Sequence, residues 1–190
     1  SSNEKLEEKI QERTGKYQET NERLNAEIEF SKLVKTIAVV SNEARAVDET
    51  LRFCIRKVCE FAGWPLGHLY LTAENPSDGL FPTKIWHVEE PGKFDIFQNI
   101  TKDTPLEEGI GLPGRVLISG EPAWIMDVTK DSNFPRANLV KNIGVKAGFA
   151  FPILIGEKVV GVMEFFSPKA VKPDPEILDI MAQVGTQLGR

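Results

Sequence analysis

Cysteine and histidine are scarce in this chain, with two of each in 190 residues. Cys54 and Cys59 lie five residues apart in one helical stretch. That spacing fits neither a CxxC motif nor a metal site, so both read as reduced core thiols of a cytosolic protein, and a disulfide framework is excluded. His68 and His87 stand in separate predicted strands without a third ligand type beside them, so no metal centre is indicated and each is expected to face a pocket or a hydrogen-bonding core position. No apolar run approaches the roughly 20 residues of a membrane span. The polar N-terminus offers no apolar stretch for a signal peptide. In that setting the Asn99-Ile100-Thr101 sequon is discounted. Positive charge is not in excess: the net charge of −5 argues against non-specific binding of nucleic acid. No Ser/His/Asp triad has recognisable local context, and no internal repeat is evident.

What remains is the composition of a soluble domain with an extension, 41% hydrophobic and 27% charged. The chain is organised around Ala147 to Ser167, AGFAFPILIGEKVVGVMEFFS. Two apolar runs flank Gly156-Glu157, and Gly at the first turn position suits the type II′ turn of an antiparallel hairpin. Both arms are rich in Val, Ile and Phe, so the hairpin is expected at the centre of a sheet. Glu164 breaks the pattern. A carboxylate inside GVMEFF needs either a solvated face or a polar cavity, because an unpaired buried charge is costly.

Upstream, residues 3–41 read as a long helix. Ile10, Tyr17 and Leu24 recur every seven residues with Leu6 at the complementary position, while Arg13, Thr20 and Glu27 fill the other core positions. That seam, weak on its own, predicts a parallel two-stranded coiled coil, with a solvated helix or fraying tail as the alternative. It continues into a firmly apolar stripe of Phe30, Leu33, Val34, Ile37, Ala38 and Ser41. Asp48 is the expected N-cap of a second helix carrying Leu51, Ile55, Val58 and Ala62, which stops at Gly63. Leu66 to Thr72 alternates as a strand, with His68, Tyr70 and Thr72 sharing one face. Lys84 to Val88 is the second strand. Phe94, Ile96, Phe97 and Ile100 form an apolar piece of either type. Ala123 to Val128 reads as a short strand, and a helical turn is expected around Ala137 to Lys141. Asp174 and Pro175 start a last helix with the stripe Ile177, Leu178, Met181, Val184 and Leu188. That helix is still amphipathic at Arg190, so the natural protein is expected to continue. The order of elements predicts an α+β fold with one antiparallel sheet and the terminal helices on one face.

Gly109 to Gly114, GIGLPG, matches the dinucleotide fingerprint G-x-G-x-x-G. That reading needs an apolar strand running into it. The lead-in here, TKDTPLEE, is polar and holds a proline, so the glycines are expected to serve a tight turn into a helix ending near Ser119.

GIGLPGRV, SGEPAWIMDV, Asp131 to Phe134 as D-x-x-F, GVKAGFAFPI and GEKVVGVMEFF, in that order, resemble the GAF domain family. With the helix before AGWPLGHLYLTA, the resemblance covers about residues 30–190. LEEKIQERTGKYQETNERL resembles the signalling helix that precedes sensor domains in bacterial histidine kinases. The resemblance implies a coiled-coil signalling helix over 1–30 and a GAF domain over 31–190. It implies a six-stranded antiparallel sheet, terminal helices on one face and a ligand pocket on the other. It also implies a cytoplasmic, homodimeric sensor, paired through its N- and C-terminal helices, that couples a small molecule to a partner helix. The alternative is a GAF domain without ligand that serves dimerisation and relay.

Carried onto this chain, the family's pocket positions are His68, Tyr70, Trp86 or His87, Leu112, Pro113, Phe134, Arg136 and Glu164. Strand alternation keeps Trp86 and His87 off a common face unless the strand bends. The cyclic-nucleotide signature N-K-F-D-E is not recognisable. The thiols of bilin-binding members and of methionine sulfoxide reductases of this fold have no counterpart, because Cys54 and Cys59 lie in the wrong helix. The expectation is therefore a regulatory module rather than an enzyme, with no cofactor specified.

Overall fold

The computed structural model describes residues 2–189, with the backbone alone for residues 26, 27 and 29–45. The apolar stripe expected from Phe30 to Ser41 lies outside the described side chains. The chain divides into two compact units, Ser1–Asp48 and Glu49–Arg190.

Helix α1 runs without a break over Ser2–Ala62. The N-cap expected at Asp48 is therefore corrected. A cap satisfies N–H groups at a helix start, and none are orphaned inside a continuous helix. One aspartate costs only a fraction of a kcal/mol in a helix interior, and no Gly or Pro stands nearby to stop propagation. In the first unit, Leu6, Ile10, Tyr17 and Leu24 are exposed. Lys16 and Glu12 pair across one turn at 3.0 Å.

The second unit holds one antiparallel sheet of five strands in the order β2-β1-β5-β4-β3. They are β1 (Leu66–Thr72), β2 (Leu80–Val88), β3 (Ala123–Ile125), β4 (Ala147–Ile155) and β5 (Lys158–Ser167). The expected sixth strand is absent among the described residues. The apolar piece after β2 is helix α2 (Asp95–Lys102), burying Phe97 and Thr101 four residues apart on one face. The polar lead-in behind it contributes only an isolated bridge, Leu106 to Leu80. The strand expected to reach Val128 stops at Ile125, and Asp127 instead accepts from the Thr129 backbone and hydroxyl.

The hairpin lies at the centre as expected. Gly156 has φ +62° and no described non-glycine residue has positive φ, the sign pattern of a type II′ turn. Pro152 on β4 lies beyond the end of β3, so its missing N–H leaves no β3 partner unpaired.

Strand alternation sorts the side chains into two layers. Against one face pack the end of α1, through Ile55, Val58 and Cys59, and helix α4 (Pro175–Leu188), through Met181. That layer includes Leu69, Phe149, Phe151, Met163 and Phe165, with Phe149 stacked between Trp124 and Phe165. Against the other face lie α2, helix α3 (Gly111–Ser119) and a 3-10 turn over Pro135–Asn138, around Tyr70, Phe97, Leu112, Val116, Phe134 and Phe166. Asp174 caps α4, accepting from the backbone N–H of Glu176 and Ile177. Asp174→Ala should cost about 1 kcal/mol, read as a melting temperature lower by about 2–4 °C. An unchanged melting temperature would mean that α4 contributes little to cooperative folding.

Candidate functional site

Glu164 sits on the central strand β5, on the face away from the long helices, and is fully buried. Register supplies its first partner: His68 on β1 lies directly opposite. Directly opposed residues of an antiparallel pair share a face, and His68 Nδ1 lies 3.0 Å from Glu164 Oε1. On the other side of β5 the opposing residue is Ala150, whose small side chain leaves space above the carboxylate. Arg136, carried by the 3-10 turn, fills that space. It donates from both terminal nitrogens, at 2.9 Å to Oε1 and 2.7 Å to Oε2. This is the two-pronged arrangement that makes guanidinium–carboxylate pairs strong and directional. Arg136 also donates to the Thr101 hydroxyl of α2 at 3.1 Å.

The guanidinium is enclosed by aromatic rings. Its central carbon lies 4.8 Å from the ring centres of Phe97 and Phe134, 5.5 Å from Phe166 and 5.7 Å from Tyr70. Such distances bring a desolvated cation within reach of the ring quadrupoles. Tyr70 donates its hydroxyl to the Thr104 carbonyl at 2.9 Å. Arg136 is 1% exposed and His68 and Glu164 are 0% exposed, so solvent does not reach the cluster in this state. No described buried side-chain N or O atom lacks a hydrogen-bond partner.

The ionisation of the pair follows from these contacts. Burial alone would push the Glu164 carboxyl upward, but the Arg136 charge, its two hydrogen bonds and His68 outweigh burial and hold it below the usual carboxylate range. Burial likewise pulls the Arg136 guanidinium down, and Glu164 more than offsets this. His68 has acceptors on both sides, with Nε2 lying 3.1 Å from the Thr83 carbonyl.

A pairing irregularity in β2 turns that carbonyl inward. His68 pairs with Trp86, but Tyr70 pairs with Pro82, so β2 carries extra residues around Thr83. The Thr83 hydroxyl donates to the Leu69 carbonyl and accepts from the Ile85 N–H, which fixes the distortion. The register also separates Trp86 from His87. Trp86 lies opposite His68 and stacks on it at 3.9 Å. His87 lies opposite Gly67, where a Cβ would point at Ile55 of α1. His87 is therefore on the long-helix side, beside Cys59, Glu60 and Trp64.

Of the residues expected at the site, the structure brings together His68, Tyr70, Trp86, Phe134, Arg136 and Glu164. Leu112 belongs to the same apolar layer, and Pro113 is buried one residue along α3. His87 is not brought to it. Thr83, Phe97, Thr101 and Phe166 were not anticipated. Phe97 and Thr101 could have been found from their spacing on one face of α2, and Phe166 from its alternation with Glu164. A pocket on this face is not shown among the described residues, where these side chains pack over Glu164 and leave it 0% exposed.

The segment carrying Arg136 is anchored at its base. The Arg115 guanidinium donates to both oxygens of Asp131 and to the Asn133 carbonyl. These bonds hold the Asp131 carboxyl below its ordinary range. Asn133 donates to the Gly109 carbonyl at 2.8 Å and accepts from the Gly111 N–H at 2.9 Å. The GIGLPG turn thus presents its helix-start N–H to a side chain of the loop. Gly111 has φ +68°, and a Cβ on Gly114 would come within 2.4 Å of the Glu107 carbonyl oxygen, so the turn depends on glycine at both positions.

A five-stranded antiparallel sheet with long helices on one face and short helices and loops on the other defines the class of this unit. The chain belongs to the GAF domain family, whose profile matches residues 44–190. The transcription factor GLABRA 3 of Arabidopsis thaliana is 41% identical over 58 residues, which is 30% of this chain and 9% of that protein. The chain thus corresponds to less than a tenth of that relative's length. The GAF domain of a phosphoenolpyruvate-protein phosphotransferase from Coxiella burnetii superposes with a TM-score of 0.60 at 13% identity, covering 82% of this chain and 89% of that one. The free methionine-R-sulfoxide reductase of Neisseria meningitidis, solved with its substrate, superposes with a TM-score of 0.56 at 16% identity, covering 75% and 77%. At these identities the two structures show a shared fold.

Proposed function

We propose that this chain is a ligand-responsive regulatory GAF module of a cytoplasmic signalling protein of the histidine-kinase kind. The observation that carries the reading is the origin of the charges over the sheet. Glu164 and His68 stand on the central strand β5 and its neighbour β1, while the cation that completes the cluster comes from a loop turn. A buried ion pair is commonly no better for stability than apolar side chains of similar volume. Its presence among aromatic walls is the chemistry of a recognition site, with a few convergent polar groups in an apolar setting. Exchange of the loop-borne partner would alter the packing of the central strands and, through them, of α1 and α4. Native mass spectrometry of gently purified protein tests this. A stoichiometric small-molecule adduct is expected, and its absence across several preparations would remove the sensor reading.

A second reading rests on a different observation. Every member of the cluster is sealed and satisfied, which suits a GAF domain that has dispensed with ligand and serves relay alone. Both readings are regulatory. Against catalysis by a thiol, Cys54 and Cys59 both lie on α1 in the opposite layer, and burial pushes the Cys59 thiol up to about 12.

We further propose that the module is a homodimer. Phe53 and Phe61 are exposed on α1 and flank, with Cys54 and Val58, an apolar surface continued by Ile180 and Val184 of α4. The exposed heptad residues of the first unit would extend the contact as a coiled coil. Phe53→Asp combined with Phe61→Asp should raise the dimer dissociation constant at least about tenfold, because buried aromatic anchors dominate such interfaces. Sedimentation equilibrium reads this directly, and an unchanged constant would move the interface elsewhere.

A further inference from the structure

We propose that the chamber over Glu164 is a receptor for a guanidinium-bearing small molecule, and that Arg136 is a built-in competitor occupying it. The proposal rests on the ligand-responsive reading above and names the chemistry of the ligand. Without the Arg136 side chain, the fixed parts of the chamber are a carboxylate on β5 with His68 of β1 against one of its oxygens, the rings of Tyr70 and Phe166 on β1 and β5, and Phe97 with the Thr101 hydroxyl on α2. The carboxylate and the ring faces favour a cation, and the Thr101 hydroxyl adds an acceptor for one of its N–H groups. The carboxylate presents both oxygens to a guanidinium fork, at 2.7 and 2.9 Å from the Arg136 nitrogens. The rings offer their electron-rich surfaces to a charge that water does not reach. An anion would meet Glu164 and these same ring faces, so anionic ligands are excluded by charge. A compact ammonium would satisfy one carboxylate oxygen well and leave the planar walls underused.

The competitor is the movable partner. Arg136 belongs to an excursion whose ends are tied where the Val128 N–H donates to the Lys146 carbonyl at 2.7 Å. Its base is held by Asp131 and Asn133. Beyond them, the described backbone hydrogen bonds are local, Ala137 to Phe134 and Leu139 to Arg136. Asn138, Leu139 and residues 141 and 142 are exposed. Phe134 is the one wall that sits on the same segment as the plug. An incoming guanidinium would take over both carboxylate contacts and the Thr101 contact, so the bonds made match the bonds released. The net change is then the freeing of the Arg136 turn, which gives a signal without requiring new chemistry in the chamber. A tethered competitor also sets a threshold. The apparent affinity of the wild-type chain falls by the fraction of time for which the chamber is vacant.

The full chain is titrated with methylguanidinium by calorimetry, as wild type, Arg136→Ala and Arg136→Ala/Glu164→Gln, with methylammonium as the comparison cation. Arg136→Ala is expected to bind methylguanidinium at one site and more tightly than methylammonium. Loss of the carboxylate in the double variant should weaken binding at least about tenfold. Wild type should bind at the same site more weakly than Arg136→Ala. In parallel, the Arg136 Nε–H resonance of wild-type protein should shift saturably toward the solvent-exposed position as methylguanidinium is added. This readout stands even where Arg136→Ala fails to fold. Equal affinity in the presence and absence of the Glu164 carboxylate overturns the proposal. So does a wild-type Arg136 resonance that does not move at concentrations saturating the variant, because the plug would then be permanent. A native-mass adduct without a guanidinium group, together with either of those results, overturns the ligand class and leaves the sensor reading standing. Absence of any adduct together with those results overturns both.

Discussion

Removing one charge of the Arg136–Glu164 pair is expected to cost about 3–5 kcal/mol, whereas removing both together costs much less. The asymmetry follows from burial. With Arg136→Met alone, Glu164 remains 0% exposed with no cation beside it and must either stay charged without compensation or take up a proton. With Glu164→Gln alone, the guanidinium keeps its aromatic surroundings but loses its counter-charge. Arg136→Met/Glu164→Gln leaves no unpaired charge, and the Gln oxygen still accepts from His68. The two single losses should therefore exceed the double loss by at least about 2 kcal/mol, a coupling of the size found for buried contacting pairs. Urea denaturation is the appropriate measurement, since guanidinium chloride would add the very cation the chamber is built to hold. Additive single losses would mean that the pair is not coupled and that the chamber is more hydrated than its geometry implies. The pH dependence has a definite sign. The Glu164 carboxyl is held below its unfolded value, so its contribution is fully present above the unfolded carboxylate range near about 4.3. It is lost as pH falls through the depressed folded value. Wild type should thus lose stability in the acid range more steeply than Arg136→Met/Glu164→Gln.

Much of this chamber could be reached from residue order, and the parts that could not have physical reasons. Period-two alternation puts His68 with Tyr70 and places Glu164 as the one charge in the apolar run VVGVMEFF. That shows a carboxylate needing a partner, and the structure supplies His68 by register and Arg136 by a fork. Arg136 itself comes from the resemblance, because a loop residue has no periodicity to place it. Trp86 and His87 cannot be separated by alternation, which states that they differ in face but not which face each takes. Pairing to β1 decides it, and the extra residues around Thr83 decide the pairing. The inward Thr83 carbonyl is a backbone group, so no residue type announces it. The sixth strand fails for a local reason. Phe97 and Thr101 fit one face of an eight-residue helix, with Phe94 at its N-cap. The break at Asp48 fails because a good capping residue is not a helix breaker. It becomes a cap only where the chain has another cause to stop.

Gly185→Ala is expected to destabilise the protein although alanine is the better helix former. Intrinsic propensity favours Ala over Gly by about 1 kcal/mol in a helix interior. Packing opposes it at this position. A Cβ on Gly185 would lie 2.0 Å from the Pro152 carbonyl oxygen and 3.2 Å from Phe151. The 2.0 Å contact is with backbone on β4, inside the sheet, so no side chain can rotate away to relieve it. Helix α4 must lift instead. Lifting loosens Met181, which is 1% exposed, and the half-buried Ile177, Val184 and Leu188 that pack with it. Overpacking of this kind costs about 1–3 kcal/mol and more where the obstacle is rigid, so the close contact outweighs the propensity gain. A net loss near 2 kcal/mol should lower the melting temperature by about 4–8 °C. Hydrogen exchange should speed up first in α4, because its seat is what fails. Thr186→Ala, one residue further on an exposed part of the same helix, separates the two effects. It gains propensity without meeting the sheet and should raise stability by a few tenths of a kcal/mol. Equal gains at the two positions would mean that α4 does not rest on β4. Opposite signs would establish that α4 is seated on β4 at Gly185.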